Sequence, residues 1–273
     1  AFVAFLLSGF GFIRSQLRTE YPLLPLEFFS QRQFTIGLMA IALAMFVMFS
    51  FMFMQMLHFQ LVRGLSPLEA AIRFFPLPLG LMPAAANSDR LVGKLGRKKV
   101  ITLGLSLVTA GLLLFTLVTT ETAYIQIALT FVLLGLGMGL TMAPSTTAIM
   151  EAIPENKAGV GSATNDASRE IGGALGIAIG GSVLNQIYQK ALVVPESFNH
   201  MKDVLSSSFP ASMRIGAEVG GADGAALIAS AQESFVSGMI GSCYVAAVVA
   251  AIAAVIVWFM MPDESAVAST SEE

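Results

Sequence analysis

Charge is scarce in this sequence. Only 12% of its 273 residues are Asp, Glu, Lys or Arg, about half of the ~25% found in a soluble domain. The mean hydropathy is +0.76. That leaves too little polar surface to keep a globule in water and argues against a soluble protein with a large core. The net charge of −3 is small and the basic residues form no stripe along a face, so nothing marks a nucleic-acid partner. The two histidines, His58 and His200, read as lying at or beyond the outer surface. Neither stands at metal-ligand spacing to the other or to Cys243. With one cysteine there is no intrachain disulfide. No H-E-x-x-H, G-x-S-x-G or G-x-x-x-x-G-K-[ST] occurs. The expectation is therefore no enzyme, no metal and no cofactor. The chain begins AFVAFLLSGFGF without a charged n-region, which speaks against a signal peptide. It reads as the tail of a truncated span, and the whole as a fragment.

What is present is concentrated. Asn87–Val100, NSDRLVGKLGRKKV, holds Arg90, Lys94, Arg97, Lys98 and Lys99, a third of the 15 basic residues. Apolar runs stand on both sides. Short loops rich in Lys and Arg stay in the cytoplasm, so this knot orients the rest. Ala1–Ile13 is too short for the ~20 residues of a span, and Arg14–Gln33 reads as a cytoplasmic linker. Phe34–Leu57 is the first full span. Pro67–Ala86 reads as one helix bent by Pro76, Pro78 and Pro83. Val100–Thr119, Tyr124–Met142, Gly159–Leu184 and Ser234–Met261 follow, the last with Trp258 as an interfacial aromatic. Residues 191–233 read as an extracytoplasmic loop, and 262–273 as a disordered cytoplasmic tail.

Three groups of residues within the spans carry information. Gly172, Gly176 and Gly180 recur every four residues, and Gly135 with Gly139 repeats the spacing. Small residues so placed share a helix face and let backbones approach closely. Asn165, Asp166, Arg169 and Glu170 enter the membrane on one helix, with Arg169 in position to pair with Asp166. Ionisable groups there face water or one another. Two readings stand side by side: a proton or cation site, and an interfacial salt bridge that anchors the helix end. The Met/Phe stretch Met45–Met56 reads as lining for varied apolar ligands, with Met48, Met52 and Gln55 as candidates. The plainer reading is a run that surrounds the helix, facing lipid and packing ordinary neighbours.

The basic loop, the proline-bent helix, the stretch PLLPLEFFSQRQF and the run APSTTAIMEAIPENKAGVGSATNDASREIGGALGIAIGGSVL together resemble the C-terminal half of a major facilitator superfamily transporter. More narrowly, they are similar to the fourteen-helix drug/proton antiporters. The family's cytoplasmic motif has the form G-x-x-x-D-R-x-G-R-[RK]. Against it, Asp89 stands at the Gly, Gly93 at the Asp and Lys94 at the Arg, while Lys94, Gly96, Arg97 and Lys98 carry over. The acidic partner is missing from its place, with Asp89 the nearest substitute.

The resemblance implies an all-α integral membrane fold, the C-terminal six-helix half with five complete spans plus one partial. It implies alternating access around a central cavity and proton-coupled export of a small amphipathic compound. The partners expected are protons, the lipid bilayer and the missing N-terminal half of the same protein. The location expected is the plasma membrane, with a cytoplasmic C-terminus. Two alternatives remain: a carrier of one defined metabolite, and a non-transporting membrane subunit of a larger complex.

Overall fold

The computed structural model of the chain describes residues 26–262 together with Gly11, Arg14 and Ser15. The partial span and most of the linker, like the tail from 263 on, lie outside the described residues. A 3-10 turn, Leu26–Ser30, leads into α1, Arg32–Leu57. Phe28 and Phe29 pack on Phe34 with ring centroids 6.0 and 5.3 Å away, so the end of the linker is folded back onto the helix it introduces. A π-helical turn, His58–Val62, prolongs α1.

The single bent span expected over Pro67–Ala86 is two helices. α2, Pro67–Ile72, is short and closed at its start by a capping box between Ser66 and Glu69. α3, Pro76–Leu95, begins on a proline. Pro76 has no N–H to continue a helix but suits its first turn, where that donor would be unmet anyway. The break is held to the start of the fifth helix: the Arg73 carbonyl accepts from Tyr124 Oη at 3.0 Å, and the Arg73 guanidinium lies 5.0 Å over the Tyr124 ring.

The basic loop 87–99 is also helical. Asn87–Leu95 forms the end of α3, and α4, Arg97–Phe115, starts two residues later. Gly96 alone makes the turn, at φ +84 and ψ 149, a conformation that favours glycine because it has no Cβ to clash. α5, Tyr124–Glu151, and α6, Ala158–Ala191, run beyond the span limits read from hydropathy.

The largest departure concerns residues 191–233. In place of a loop there are a 3-10 turn Glu196–Met201, α7 (Lys202–Ser207), α8 (Phe209–Val219) and the first third of α9 (Gly221–Met260). The last helix therefore starts at Gly221 and not Ser234. At 1.5 Å per residue its 40 residues reach about 60 Å, twice the ~30 Å hydrocarbon core. The cap has its own core: Tyr188 Oη donates to Ser212 Oγ at 2.9 Å, and Phe209 stacks on Phe235 at 4.5 Å.

Among the described residues five helices are long and apolar enough to cross a membrane, and no strand occurs. The proline-bearing α3 is the sixth member of the bundle. α1 sits centrally, touching α5, α6 and α9; α4 closes the ring between α5 and α9, and α3 packs outside α5. Phe51 of α1 meets Phe115 and Phe131 edge to face at 5.0 and 5.7 Å, so part of the Met/Phe run is core rather than lipid contact.

Candidate functional site

At the basic end, Arg97 is buried and its Nη2 lies 2.8 Å from Glu151 Oε2 at the close of α5. Gln33 Nε2 of α1 donates to the same carboxylate oxygen at 3.3 Å. Lys98 Nζ lies 5.4 Å over the Trp258 ring of α9. Four helix ends are thus joined through two neighbouring basic residues. Asp89, Arg90, Gly93 and Lys94 stand exposed on the outer turns of α3, and among the described residues Asp89 makes no ion pair. The carboxylate that meets Arg97 is that of Glu151 and not that of Asp89. In the sequence it was one of two glutamates in the polar stretch Met150–Lys157, and no spacing singled it out.

The group Asn165, Asp166, Arg169 and Glu170 is arranged differently from the expectation. Arg169 does not pair with Asp166. Its Nη2 donates to Thr146 Oγ1 on α5 at 3.2 Å, and its Nε is buried without a partner. It closes one side of an open cavity of about 360 Å³ lined by Leu81 and Ala85 of α3 and Met138, Met142 and Thr146 of α5. Asp166 and Glu170 are exposed on the adjoining face of α6 and make no ion pair among the described residues. Asn165 is the buried member of the four, its Oδ1 without a hydrogen-bond partner; Ser145 Oγ is in the same position on α5. A guanidinium reaching across a helix gap toward an apolar, methionine-lined space can orient a polar end of a ligand whose body is greasy.

The glycines bring backbones together. A Cβ at Gly172 would run into the carbonyl of Ala42, and one at Gly176 into that of Phe46; at Gly180 it would strike Ser50 Oγ. These three close α6 onto α1. Gly135 and Gly139 do the same for α5 and α3, against the carbonyls of Leu77 and Leu81. Met48 and Met52 are partly buried and border a void of about 10 Å³ between α1, α3, α4 and α5.

Gln55 cannot line an open cavity: it is fully buried, with its Nε2 3.1 Å from His58 Nδ1. His58, expected at the surface, is buried as completely. The i,i+3 spacing of the two was the sign of this pair. Among the described residues no group of three or more His, Cys, Asp or Glu could hold a metal.

Residues 4–177 match the model of the Major Facilitator Superfamily. Over 258 residues the chain is 28% identical to the multidrug efflux pump LfrA of Mycolicibacterium smegmatis, covering 94% of this chain and 51% of that protein. It is 27% identical over 226 residues to the methyl viologen resistance protein SmvA of Salmonella typhimurium, covering 82% of this chain and 46% of the relative. It is also 27% identical over 269 residues to the tetracenomycin C resistance and export protein of Streptomyces glaucescens, with 94% and 50% covered. The chain spans about half the length of these relatives. With a family match over most of its length and helices fit to cross a membrane several times, this multi-pass membrane chain belongs to the Major Facilitator Superfamily.

Proposed function

We propose that the chain forms the C-terminal half of a secondary active transporter that exports amphipathic organic compounds in exchange for protons. The observation that carries this reading is the methionine-lined cavity closed by Arg169, with Asp166 and Glu170 exposed one face away on the same helix. The greasy wall suits varied organic bodies, because flexible thioethers repack around different shapes. The two carboxylates are exposed on this half and make no ion pair among the described residues, which leaves them available to protons. Names of the relatives, an efflux pump, a resistance protein and an export protein, support the same direction of transport.

In this reading an N-terminal half of the same protein completes the cavity, and alternating access comes from one half rocking against the other. The protein sits in the plasma membrane with its basic helix ends, and so its C-terminus, on the cytoplasmic side. Asp166 is the first candidate for proton exchange, Glu170 the second. Arg169 and Asn165 set the polar end of the cavity, and the glycine seams keep the helices in close register.

The test uses the full-length protein in inside-out vesicles with an imposed acid interior. Uptake of a fluorescent lipophilic cation that vanishes when a protonophore collapses the gradient is the expected result. Asp166→Asn should then lower gradient-driven uptake at least about tenfold while leaving dye binding in place. Uptake of no dye across several chemical classes would overturn the multidrug reading, and an Asp166→Asn protein with unchanged proton coupling would leave Asp166 only an anchoring role.

A further inference from the structure

Among the described residues Arg169 is the one charged group on the wall of the cavity between α3 and α5. Along α6, Asn165 stands about 40° to one side of it, and Asp166 and Glu170 about 60° and 100° to the other. Both carboxylates are exposed and make no ion pair among the described residues. No acidic side chain of this half therefore answers the guanidinium where it reaches across to α5. The guanidinium is a fixed cation with five N–H donors in a planar fork. One bond of that set is met, from Nη2 to Thr146 Oγ1, while Nε is buried without a partner.

Two further polar atoms nearby are in the same condition. α6 and α1 run side by side in step, Gly172 meeting Ala42, Gly176 meeting Phe46 and Gly180 meeting Ser50. Carried back along both helices, that register brings Asn165 within a turn of Gly37. Gly37 also faces α5, where a Cβ on it would lie 3.2 Å from the Ser145 carbonyl oxygen. Asn165 Oδ1 and Ser145 Oγ, both buried and unpartnered, thus stand at one level, about a turn from Arg169. Leaving buried polar atoms unbonded costs free energy. Three together mark a place whose hydrogen bonds are completed from outside these helices.

The rest of the wall is greasy, with thioethers from Met138 and Met142 and alkyl groups from Leu81 and Ala85. Its volume of about 360 Å³ falls in the ~300–1,000 Å³ range of small-molecule sites. We propose that this cavity selects amphiphiles whose polar end is a carboxylate, held by Arg169, over esters and amines with the same apolar body. The inference rests on the exporter reading only in calling such a molecule a substrate. A carboxylate is flat, as the guanidinium is, and accepts two parallel N–H bonds from it. An ester lacks the charge, and an ammonium is repelled. A lipophilic cation would be drawn instead to Asp166 and Glu170, off this wall.

Three probes with one body separate these cases: pyrenebutanoate, its methyl ester and pyrenebutylamine. Binding to the purified full-length protein is read by fluorescence anisotropy at equilibrium, without any gradient. The carboxylate should bind at least about tenfold tighter than either of the others. Arg169→Met should abolish that advantage and strengthen binding of the amine, opposite changes that a general loss of structure would not produce. Arg169→Lys keeps the charge without the fork and should restore the preference only in part. Should the Arg169 variants fold poorly, Met142→Cys with Arg169 in place carries the test. Pyrenebutanoate should slow its labelling by a maleimide, and the ester at the same concentration should not.

Equal binding of the three probes would overturn the inference, and so would a carboxylate preference that survives Arg169→Met or equal protection of Met142→Cys by acid and ester. Any of these would leave the exporter reading standing. Loss of gradient-driven dye uptake with the carboxylate preference intact would sink the exporter reading and support this one.

Discussion

Two helix seams of this bundle are built on opposite plans. Where α6 meets α1, Gly172 and Gly176 put their backbone against the carbonyls of Ala42 and Phe46, and no room is left even for a methyl group. Where α4 meets α9, the facing residues are alanine, threonine and serine, and an open trough of about 360 Å³ remains. Both seams use small residues. The difference lies in what the removed volume is used for. In the first it lets two backbones touch, which is how helices associate in lipid, where there is no hydrophobic drive between them. In the second the space stays unfilled by protein. Small residues in a membrane helix therefore mark either closeness or vacancy, and only the partner helix tells which.

Substitution at the closed seam should show the largest effect. Gly176→Leu forces α6 off α1 and should cost about 3 kcal/mol or more. The check is a loss of monodisperse full-length protein in detergent, or a thermal midpoint many degrees lower. Ala254→Leu, of similar added size in the open trough, should shift the midpoint little. If both substitutions are tolerated equally, the contrast between the seams is wrong.

An intermediate effect is expected at the basic end. Arg97 is buried while Glu151 is half exposed, so solvent weakens their attraction and the pair should contribute about 1 kcal/mol. Glu151→Gln should lower the thermal midpoint modestly, and Arg97→Lys should not fully replace the arginine. A double-mutant cycle showing no coupling would remove the ion pair from the account.

The smallest effect concerns α2. Hydrogen bonds from the Ser66 hydroxyl and backbone N–H hold the exposed Glu69 carboxyl below its ordinary pKa of 4.5. A carboxylate whose pKa is lowered by folding adds stability above its unfolded pKa and loses it as pH falls through the folded one. The difference in thermal midpoint between wild type and Glu69→Ala should be present at neutral pH and vanish in acid below that folded value. A difference that does not change with pH would mean that the cap works without the charge.

The helices were legible because membrane spans are written in composition, and the glycine faces because a four-residue spacing fixes which side chains coincide. Gly96 was visible as part of a motif, but its neighbours Asn87–Leu95 looked like a loop because charge and turn formers outweighed a helical pattern that packing of Leu91 and Val92 on α4 and α5 sustains. The cap over 191–233 was hidden for a related reason. Its polar, mixed composition reads as coil, while its order comes from distant contacts such as Tyr188 with Ser212 and Phe209 with Phe235.

Arg169 was misassigned because sequence offers only intrahelical partners. The neighbour at i−3 was visible, and Thr146 on another helix was not. His58 was read as exposed because a polar residue at a span end looks so until Gln55 is seen beside it.

The length of α9 has a mechanical consequence. A continuous helix that extends well past the bilayer is a lever whose fulcrum lies in the membrane. The aromatic stack between Phe209 and Phe235 fastens the cap formed by residues 191–233 to its N-terminal arm. With an arm of about 30 Å, a tilt of about 10° would carry the cap sideways by about 5 Å. Any rocking of the bundle that tilts this helix is therefore amplified outside the membrane, where a label on α8 would report it as a change in distance.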